Sequence, residues 1–304
     1  MPLANNPKEE TDMKIQDLFE SGNPNNPGRA ILSFEVFPPK RDLPIESIYG
    51  QLSSLCALKP DFISVTYGAG GKGNDNRTAE IAARIRHNYG VESVAHLTCV
   101  SNTKEDVDRI TEELRMNNIE NILALRGDLP DGVECAEDFA HASDLTAYLT
   151  ELGGFDIAGA CYPEVHPESA SEVDDILNLK KKVDAGASHL ITQLFFDNET
   201  FYRYRDKLTL AGIDVPVEAG IMPVINRAQI ERMVTLCGAS LPAPFVRLMN
   251  RFGDDPEQMR DAGIAYAIQQ IIDLLAAGVD GIHLYTMNNP YVATQITEAI
   301  RGLL

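Results

Sequence analysis

The chain has 304 residues, of which 44% are hydrophobic and 23% charged, as in an ordinary globular protein. This length and composition exclude wholesale disorder and a small disulfide-stapled domain. The formal net charge of −19 repels phosphate backbones and anionic lipids, so neither nucleic acid nor a membrane is an expected partner.

The N-terminal segment carries no targeting signal. MPLANNPKEETDMKIQ lacks the basic and then apolar regions of a signal peptide, and no window of the chain reaches the ~18–20 apolar residues that span a bilayer. The five cysteines form no close pair, which matches neither a disulfide framework nor a thiolate metal cluster. We therefore expect a cytoplasmic protein with reduced cysteines and no metal.

Eight short apolar runs follow one another along the chain, separated by segments with helical periodicity. The runs are rich in Val, Ile, Phe and Tyr, whereas the segments between them, such as RTAEIAARIRHNYG, are amphipathic. The predicted strands span residues 31–37, 62–67, 93–100, 121–127, 155–162, 189–196, 216–222 and 281–287. This alternation predicts parallel strands joined by crossover helices.

The number of strands favours a closed barrel over a doubly wound open sheet. Strands that start roughly 30 residues apart, eight in all, fit an α/β fold with a single (β/α)8 TIM barrel. The gap from about 224 to 280 predicts extra helices between strands 7 and 8. We expect an N-terminal helical extension at 1–29 and one barrel domain at 30–304.

An acidic residue, Glu35, lies within the apolar run SFEVFPP at 33–39. The two prolines end the strand, which places Glu35 near the barrel face that carries active sites. In apolar surroundings a carboxyl group is costly to ionise, so Glu35 could hold a proton and act as a general acid. A carboxylate paired with a basic neighbour is the alternative.

The run GAGGKG at 68–73 follows the second predicted strand and matches the pattern G-x-G-x-x-G. A dinucleotide-binding turn also needs an acidic residue at the end of the next strand, but that strand runs into His96 and Thr98. The sequence therefore favours a flexible glycine-rich loop at the active site.

Polar motifs end the fourth and fifth predicted strands, LRGDLP at 125–130 and YPEVHPE at 162–168. In the first motif, Arg126, Gly127 and Asp128 offer a ligand a cation, close backbone approach and a carboxylate; a turn with a surface ion pair is the alternative. His96, Asp128 and His166 could instead ligate a metal, as in hydrolytic barrels, although no H-x-H motif supports this.

A polar stripe follows on the next predicted helix, where Asp175, Asn178 and Lys182 recur at helical spacing beside Lys181. A solvated helix face is the default interpretation of such charges. An anion-binding role near the barrel mouth is the alternative.

Taken together, these motifs resemble those of one family. SFEVFPPK, DFISVTYGAGG, AHLTCV, NILALRGDLP, YPEVHPE, DILNLKKKVDAGA and ITQLFFD occur in the order seen in the bacterial, flavin-dependent 5,10-methylenetetrahydrofolate reductases. The resemblance covers Ile31 to Leu303. It implies a (β/α)8 barrel with FAD as cofactor, and a ping-pong reaction in which NAD(P)H reduces 5,10-methylenetetrahydrofolate to 5-methyltetrahydrofolate for methionine synthesis.

The resemblance also implies roles for single residues. The catalytic pair would be Glu35, which protonates the nitrogen leaving the methylene bridge, and Asp128, which lies beside flavin and pterin. The FAD-binding positions would be Thr66, Tyr67, Ala69, His96, Arg126, Gly127, Asp128, Ala142, Tyr162, His166, Asp175, Asn178, Lys181 and Lys182. The substrate positions would be Gln193, Gln229, Met233 and Asn289.

Two of the substrate positions depart from the family pattern. Met233 stands where many members have an aromatic residue, and Asn289 stands where many have an arginine that could hold a folate glutamate tail. A metal-assisted hydrolase and a non-catalytic flavin-binding barrel are the alternatives to a reductase. The expected partners are methylenetetrahydrofolate, NAD(P)H and further copies of the chain in a homo-oligomer.

Overall fold

In a computed structural model, which describes residues 13–20, 29–67, 77–100, 102–128 and 138–304, eight parallel strands form a closed barrel. The strands are β1 (Ile31–Val36), β2 (Phe62–Val65), β3 (Glu92–Thr98), β4 (Asn121–Leu125), β5 (Asp156–Cys161), β6 (His189–Thr192), β7 (Val217–Ile221) and β8 (Gly281–Tyr285). Each strand pairs with the next, and β8 pairs with β1. All eight predicted strands are confirmed, and the β8–β1 pairing excludes the open sheet.

Helices connect the strands on the outside of the barrel. They are α1 (Ile15–Glu20), α2 (Tyr49–Cys56), α3 (Arg77–Tyr89), α4 (Lys104–Met116), α5 (Ala142–Leu152), α6 (Glu172–Asp184), α7 (Asn198–Leu210), α8 (Arg227–Cys237), α9 (Ala243–Phe252), α10 (Pro256–Ala276) and α11 (Pro290–Ile300). A 3-10 helix, Ile45–Ile48, precedes α2. None of the described helices has both the length and the apolar character that crossing a bilayer requires.

Alternate residues of each strand face two different environments. On β1, Leu32, Phe34 and Val36 point outward into the main core, where the helices pack against the barrel. Ile31 belongs instead to a separate apolar cluster. Because β1 alternates in this way, Glu35 shares the inner face of the barrel with Ile31.

The short helix α1 closes the amino-terminal end of the barrel. Ile15 and Leu18 are buried in the cluster that contains the strand residue Ile31. The side chain of Asn121 accepts a hydrogen bond from Ile15 N at 3.0 Å, and the carboxylate of Asp156 accepts one from Gln16 N at 2.9 Å. These bonds satisfy backbone N–H groups that a helix start leaves unpaired. The predicted helical extension is thus present, while the domain boundary at residue 30 stays a prediction.

The predicted extra helices, α8 to α10, pack over the carboxyl ends of β6 and β7. Phe196 stacks on Phe245 with ring centroids 4.9 Å apart, and Tyr266 Oη donates to the carbonyl of Phe196 at 2.6 Å. This cluster explains why the apolar run at 189–196 is longer than the strand itself. Leu194 and Phe196, beyond the end of β6, are buried by the insertion rather than by the sheet, whereas Phe195 packs into the main core and stacks on Phe201.

Gly263 on α10 is required by close packing. A Cβ atom there would lie 1.8 Å from the carbonyl oxygen of Val224. We expect Gly263→Ala to destabilise the protein by about 1–3 kcal/mol, the usual cost of overpacking. Gly50→Ala, in open space on α2, should stabilise by up to about 0.5–1 kcal/mol. Chemical denaturation measures both, and changes of the same sign would contradict this packing.

Candidate active site

The carboxylate of Glu35 lies inside the mouth of the barrel between two imidazoles. Its Oε2 atom is 3.7 Å from Nε2 of His96 on β3 and 3.8 Å from Nε2 of His283 on β8. Both histidines are buried, whereas 20% of the Glu35 side chain is exposed. An acid–base group therefore faces the mouth at the barrel end expected for catalysis.

The expectation of an apolar environment for Glu35 was wrong. Phe34 and Val36 are its neighbours in sequence, but they point outward because side chains alternate along a strand. The spatial neighbours of Glu35 are His96 and His283.

The imidazole of His96 is neutral near pH 7. Burial lowers the pKa of His96 to about 4, with a smaller upward effect from Glu35 and a downward one from His283. Within the described residues, no group hydrogen-bonds His96 Nε2. His96 is therefore a polar neighbour of Glu35 rather than a cationic partner, and its Nε2 atom is buried beside the Glu35 carboxylate.

This buried histidine predicts acid destabilisation. Since the folded pKa of His96 lies below the ordinary 6.5, the unfolded state binds more protons between pH 6.5 and about 4. We expect up to ~3 kcal/mol of unfolding free energy to be lost over that window. His96→Gln should remove this share, whereas His87→Gln, on the exposed side of α3, should not. The free energy of unfolding is measured by urea titration at each pH. If it falls equally steeply with pH in the wild type and in His96→Gln, the prediction is contradicted.

The motifs after β4 and β5 are joined by an ion pair. Arg126 donates to both carboxylate oxygens of Glu168, at 2.5 and 2.7 Å, and this pairing raises the pKa of Arg126. The alternative of a strand-end ion pair is thus observed. The rings of Tyr162 and His166 meet edge to face at 4.6 Å. Burial lowers the pKa of His166, and the nearby Arg126 cation adds to this.

Gly127 and Asp128 lie at the rim itself. Gly127 has a φ of +85°, and a Cβ atom there would be 2.9 Å from the Cβ of Thr98, so only glycine fits. Asp128 follows with an exposed side chain. The glycine at this position therefore makes room for the side chains of Thr98 and Val100.

The polar stripe on α6 divides into two parts. Asn178 and Lys181 are exposed and bond each other at 3.0 Å. Lys182 turns inward, where Nζ donates to the carbonyl of Ala160 at 2.6 Å, and burial lowers its pKa. Asp175 accepts from Ser169 Oγ at 2.8 Å. The default interpretation of a solvated face is therefore wrong for Lys182.

The other predicted cofactor positions surround the same rim. Thr66 N donates to the carbonyl of Val36 at 2.9 Å, and Tyr67 Oη donates to Asn102 at 3.2 Å. Ala142 is the buried first residue of α5. Ala69, with the whole glycine-rich run at 68–73, lies outside the described residues.

The predicted substrate positions differ in how their side chains are engaged. Gln193 Oε1 accepts from Leu194 N at 2.8 Å, and Asn289 Oδ1 caps α11 by accepting from Val292 N at 3.3 Å. Met233 packs into the apolar cluster of the insertion. Gln229 Oε1 is buried and has no hydrogen-bond partner in the described part of the chain. The substrate-binding roles of these four residues stay predictions.

The donor set at the rim suits an anionic, extended cofactor. Lys181, Lys182 and His166 place cationic or donor groups beside β5, and His96 offers an unpaired buried nitrogen nearer Glu35. Such groups can neutralise a diphosphate in a protein whose net charge is −19. The residues present therefore fit FAD.

A metal centre is not supported. Across the described ranges, no three His, Cys, Asp or Glu side chains come together in a way that could hold a metal ion. In particular, His96, Asp128 and His166 form no such cluster, because His96 faces Glu35 while His166 packs on Tyr162.

Three interior residues were missed by sequence reasoning. Ser33 Oγ lies 2.5 Å from Glu218 Oε2 and 2.7 Å from His283 Nδ1, and all three residues are fully buried. Each of them is a polar residue inside an apolar strand, and this is a signal that the sequence contains. The sequence analysis considered mainly polar residues at strand ends. Fold and site together define a (β/α)8-barrel enzyme with acid–base groups inside its mouth.

A family model described as methylenetetrahydrofolate reductase matches residues 21–301. The chain therefore belongs to the methylenetetrahydrofolate reductase family, the oxidoreductases that reduce methylenetetrahydrofolate. It is 40% identical over 273 residues to the 5,10-methylenetetrahydrofolate reductase of Escherichia coli (strain K12), covering 90% of this chain and 91% of that protein. It is 36% identical over 291 residues to methylenetetrahydrofolate reductase (NADH) 1 of Arabidopsis thaliana, covering 91% of this chain and 49% of that protein.

A solved structure shares the fold. It is an uncharacterised protein from Clostridium thermocellum that binds two copies of 5-methyl-5,6,7,8-tetrahydrofolic acid. The TM-score is 0.63 at 13% identity, with 94% of this chain and 99% of that chain covered. At this identity the likeness extends to the fold alone.

Proposed function

We propose that this protein is an FAD-dependent reductase that uses NAD(P)H, in a ping-pong reaction, to convert 5,10-methylenetetrahydrofolate to 5-methyltetrahydrofolate. The product would supply methyl groups for methionine synthesis. The observation that carries the proposal is the position of Glu35, partly exposed inside the barrel mouth between two buried imidazoles.

Glu35 supplies the proton that the folate step needs. Opening the methylene bridge turns one of its nitrogens into a leaving group, and protonation makes that departure easier. The carboxyl group is held by a strand rather than a loop, and Thr286 Oγ1 donates to the Glu35 carbonyl at 2.6 Å. This anchoring fixes the acid relative to the mouth.

In this proposal, residues at the rim of the barrel would hold FAD. FAD, when bound, accepts hydride from the nicotinamide and gives it to the folate carbon. Lys181, Lys182 and His166 would hold its diphosphate, since their side chains are nitrogen donors near the carboxyl end of β5. Asp128, which is exposed after β4, would accept hydrogen bonds from the pterin through its carboxylate.

We propose NADH as the electron donor. The matching protein of Arabidopsis thaliana carries NADH in its name. In this chain the two substrates would bind in turn at one mouth, which suits a ping-pong reaction. Comparing NADH with NADPH in the assay below decides between them.

Spectroscopy of the two half-reactions tests the proposal. The protein reconstituted with FAD should be yellow, NADH should bleach the flavin absorbance, and methylenetetrahydrofolate should restore it under anaerobic conditions. A protein that stays colourless after incubation with FAD would contradict the proposal. So would a colour that neither NADH nor NADPH bleaches.

A further inference from the structure

A buried hydrogen-bond chain runs through the barrel interior behind Glu35. It begins at Glu218 on β7, passes through Ser33 Oγ on β1 at 2.5 Å, and reaches His283 Nδ1 on β8 at 2.7 Å. The far nitrogen of the same imidazole, Nε2, lies 3.8 Å from Glu35 Oε2. Four side chains from three strands are thus aligned from the core to the mouth.

We propose that Glu218 is a positioning residue that acts as a hydrogen-bond donor to Ser33 and thereby makes His283 present an Nε2–H group to Glu35. This inference rests on the proposed function, because it concerns the acid of the folate step. Glu218 touches no substrate in this scheme and acts only through Ser33 and His283.

The direction of donation along these hydrogen bonds follows from the number of protons that the groups carry. A hydroxyl has a single proton, so Ser33 can donate to Glu218 or to His283 but not to both. If Glu218 carries a proton, it donates to Ser33, and Ser33 donates to Nδ1 of His283. The proton of the neutral imidazole is then on Nε2, which faces Glu35.

The surroundings of Glu218 favour its protonated form. The residue is fully buried, and burial raises the pKa of Glu218 to about 8, although hydrogen bonding with Ser33 acts in the opposite direction. Two further carboxylates, Asp61 and Asp280, also face it and oppose its ionisation. Among the described residues, the polar and titratable groups that face His283 are Ser33, Glu35, His96, His189 and Tyr285.

An Nε2–H group aimed at Glu35 favours the charge that develops there. When Glu35 gives up its proton it becomes a carboxylate, and a donor already in place stabilises that product without reorganisation. The separation of 3.8 Å is beyond a hydrogen bond, and such contacts shorten in the reacting complex. If the hydrogen bonds from Glu218 to His283 ran in the opposite direction, the Nε2 atom of His283 would carry no proton. Its lone pair would then face the Glu35 carboxylate and destabilise it.

Nuclear magnetic resonance of 15N-labelled histidine tests the tautomer in the protein alone. At pH 7, His283 should be the Nε2–H tautomer, with its signal assigned through His283→Gln. Above about pH 8, ionised Glu218 should accept from Ser33, and the proton should move to Nδ1. An Nδ1–H tautomer at pH 7 would overturn the proposal, and this readout needs no FAD, NADH or folate.

Glu218→Gln and Ser33→Ala separate positioning from a merely structural role. The glutamine amide still donates to Ser33 but cannot ionise, so Glu218→Gln should keep the Nε2–H tautomer above about pH 8 as well as at pH 7, and should keep near-normal activity at pH 7. Ser33→Ala breaks the chain and should slow flavin reoxidation by folate roughly 10-fold, the effect of losing a hydrogen bond to a charged group, while reduction by NADH stays unchanged.

Ser64→Ala is the matched control. Ser64 is equally buried on the neighbouring strand β2, and its Oγ has no hydrogen-bond partner among the described residues. The Ser64→Ala variant should have the same His283 tautomer as the wild type and the same rates in both half-reactions. Equal losses in Ser64→Ala and Ser33→Ala, or a Glu218→Gln protein that behaves like Ser33→Ala, would overturn the proposal. If wild type fails the flavin assay while the tautomer is as expected, the proposed function fails and the hydrogen-bond chain stands.

Discussion

Replacing Glu35 by glutamine should greatly slow the folate half-reaction and should leave the reduction of the flavin by NADH unchanged. The amide has nearly the shape of the carboxyl group but is not an acid, so the leaving nitrogen of the methylene bridge receives no proton from it. We expect flavin reoxidation by methylenetetrahydrofolate to fall by at least ~10²-fold, the usual loss for a missing general acid. Binding of FAD and its reduction by NADH should stay within about twofold, because neither step uses this proton.

Stopped-flow absorbance of the flavin measures the two half-reactions separately. Glu46→Gln is the control, since Glu46 is an exposed carboxylate on the connection that follows the same strand. It should change neither rate. Equal losses in both half-reactions of Glu35→Gln would mean that Glu35 supports the site as a whole instead of donating a proton.

The second large effect is expected at Lys182. Its Nζ atom is turned toward the barrel and donates to the carbonyl of Ala160 at 2.6 Å, although an exposed position would cost a lysine less desolvation. If this cation holds the cofactor diphosphate, Lys182→Met keeps the aliphatic packing and removes the charge. We expect the Kd for FAD to rise by about 10- to 100-fold, which corresponds to about 1.5–3 kcal/mol for a charged hydrogen bond.

Titration of the apoprotein with FAD, followed by the quenching of flavin fluorescence, measures this Kd. Lys180→Met is the matched control on the same helix, because Lys180 pairs with Asp184 one turn away and not with the barrel. Its Kd should stay within about twofold of wild type. If both variants weaken FAD binding equally, the charge of Lys182 has no special role. An unchanged Kd in Lys182→Met would remove it from the cofactor site.

Much of the fold could be predicted from local pattern. Brief runs rich in β-branched and aromatic residues gave all eight strands, and the largest error at a strand end has a physical cause. Residues 193–196 continue the apolar run of β6 although the strand stops at Thr192. Leu194 and Phe196 are buried by the insertion, through contacts such as Phe196 with Phe245, and periodicity cannot distinguish that burial from a strand.

The candidate site was predicted in part. Polar groups at strand ends were found because the carboxyl ends of barrel strands carry chemistry, and Glu35 with His96 is among them. The surroundings of Glu35 were misjudged, since neighbours in sequence point to the opposite side of a strand. The inward turn of Lys182 was also missed, because a lysine on a polar stripe reads as solvated until the packing partner is known.

The sequence by itself determined the order and type of the elements and the acid near the end of the first strand, because both follow from residues close together in the chain. Only the tertiary structure decided that β8 closes on β1 and that Ser33 meets Glu218 and His283, residues 185 and 250 positions away. The register between parallel strands sets those contacts, and no local spacing records it.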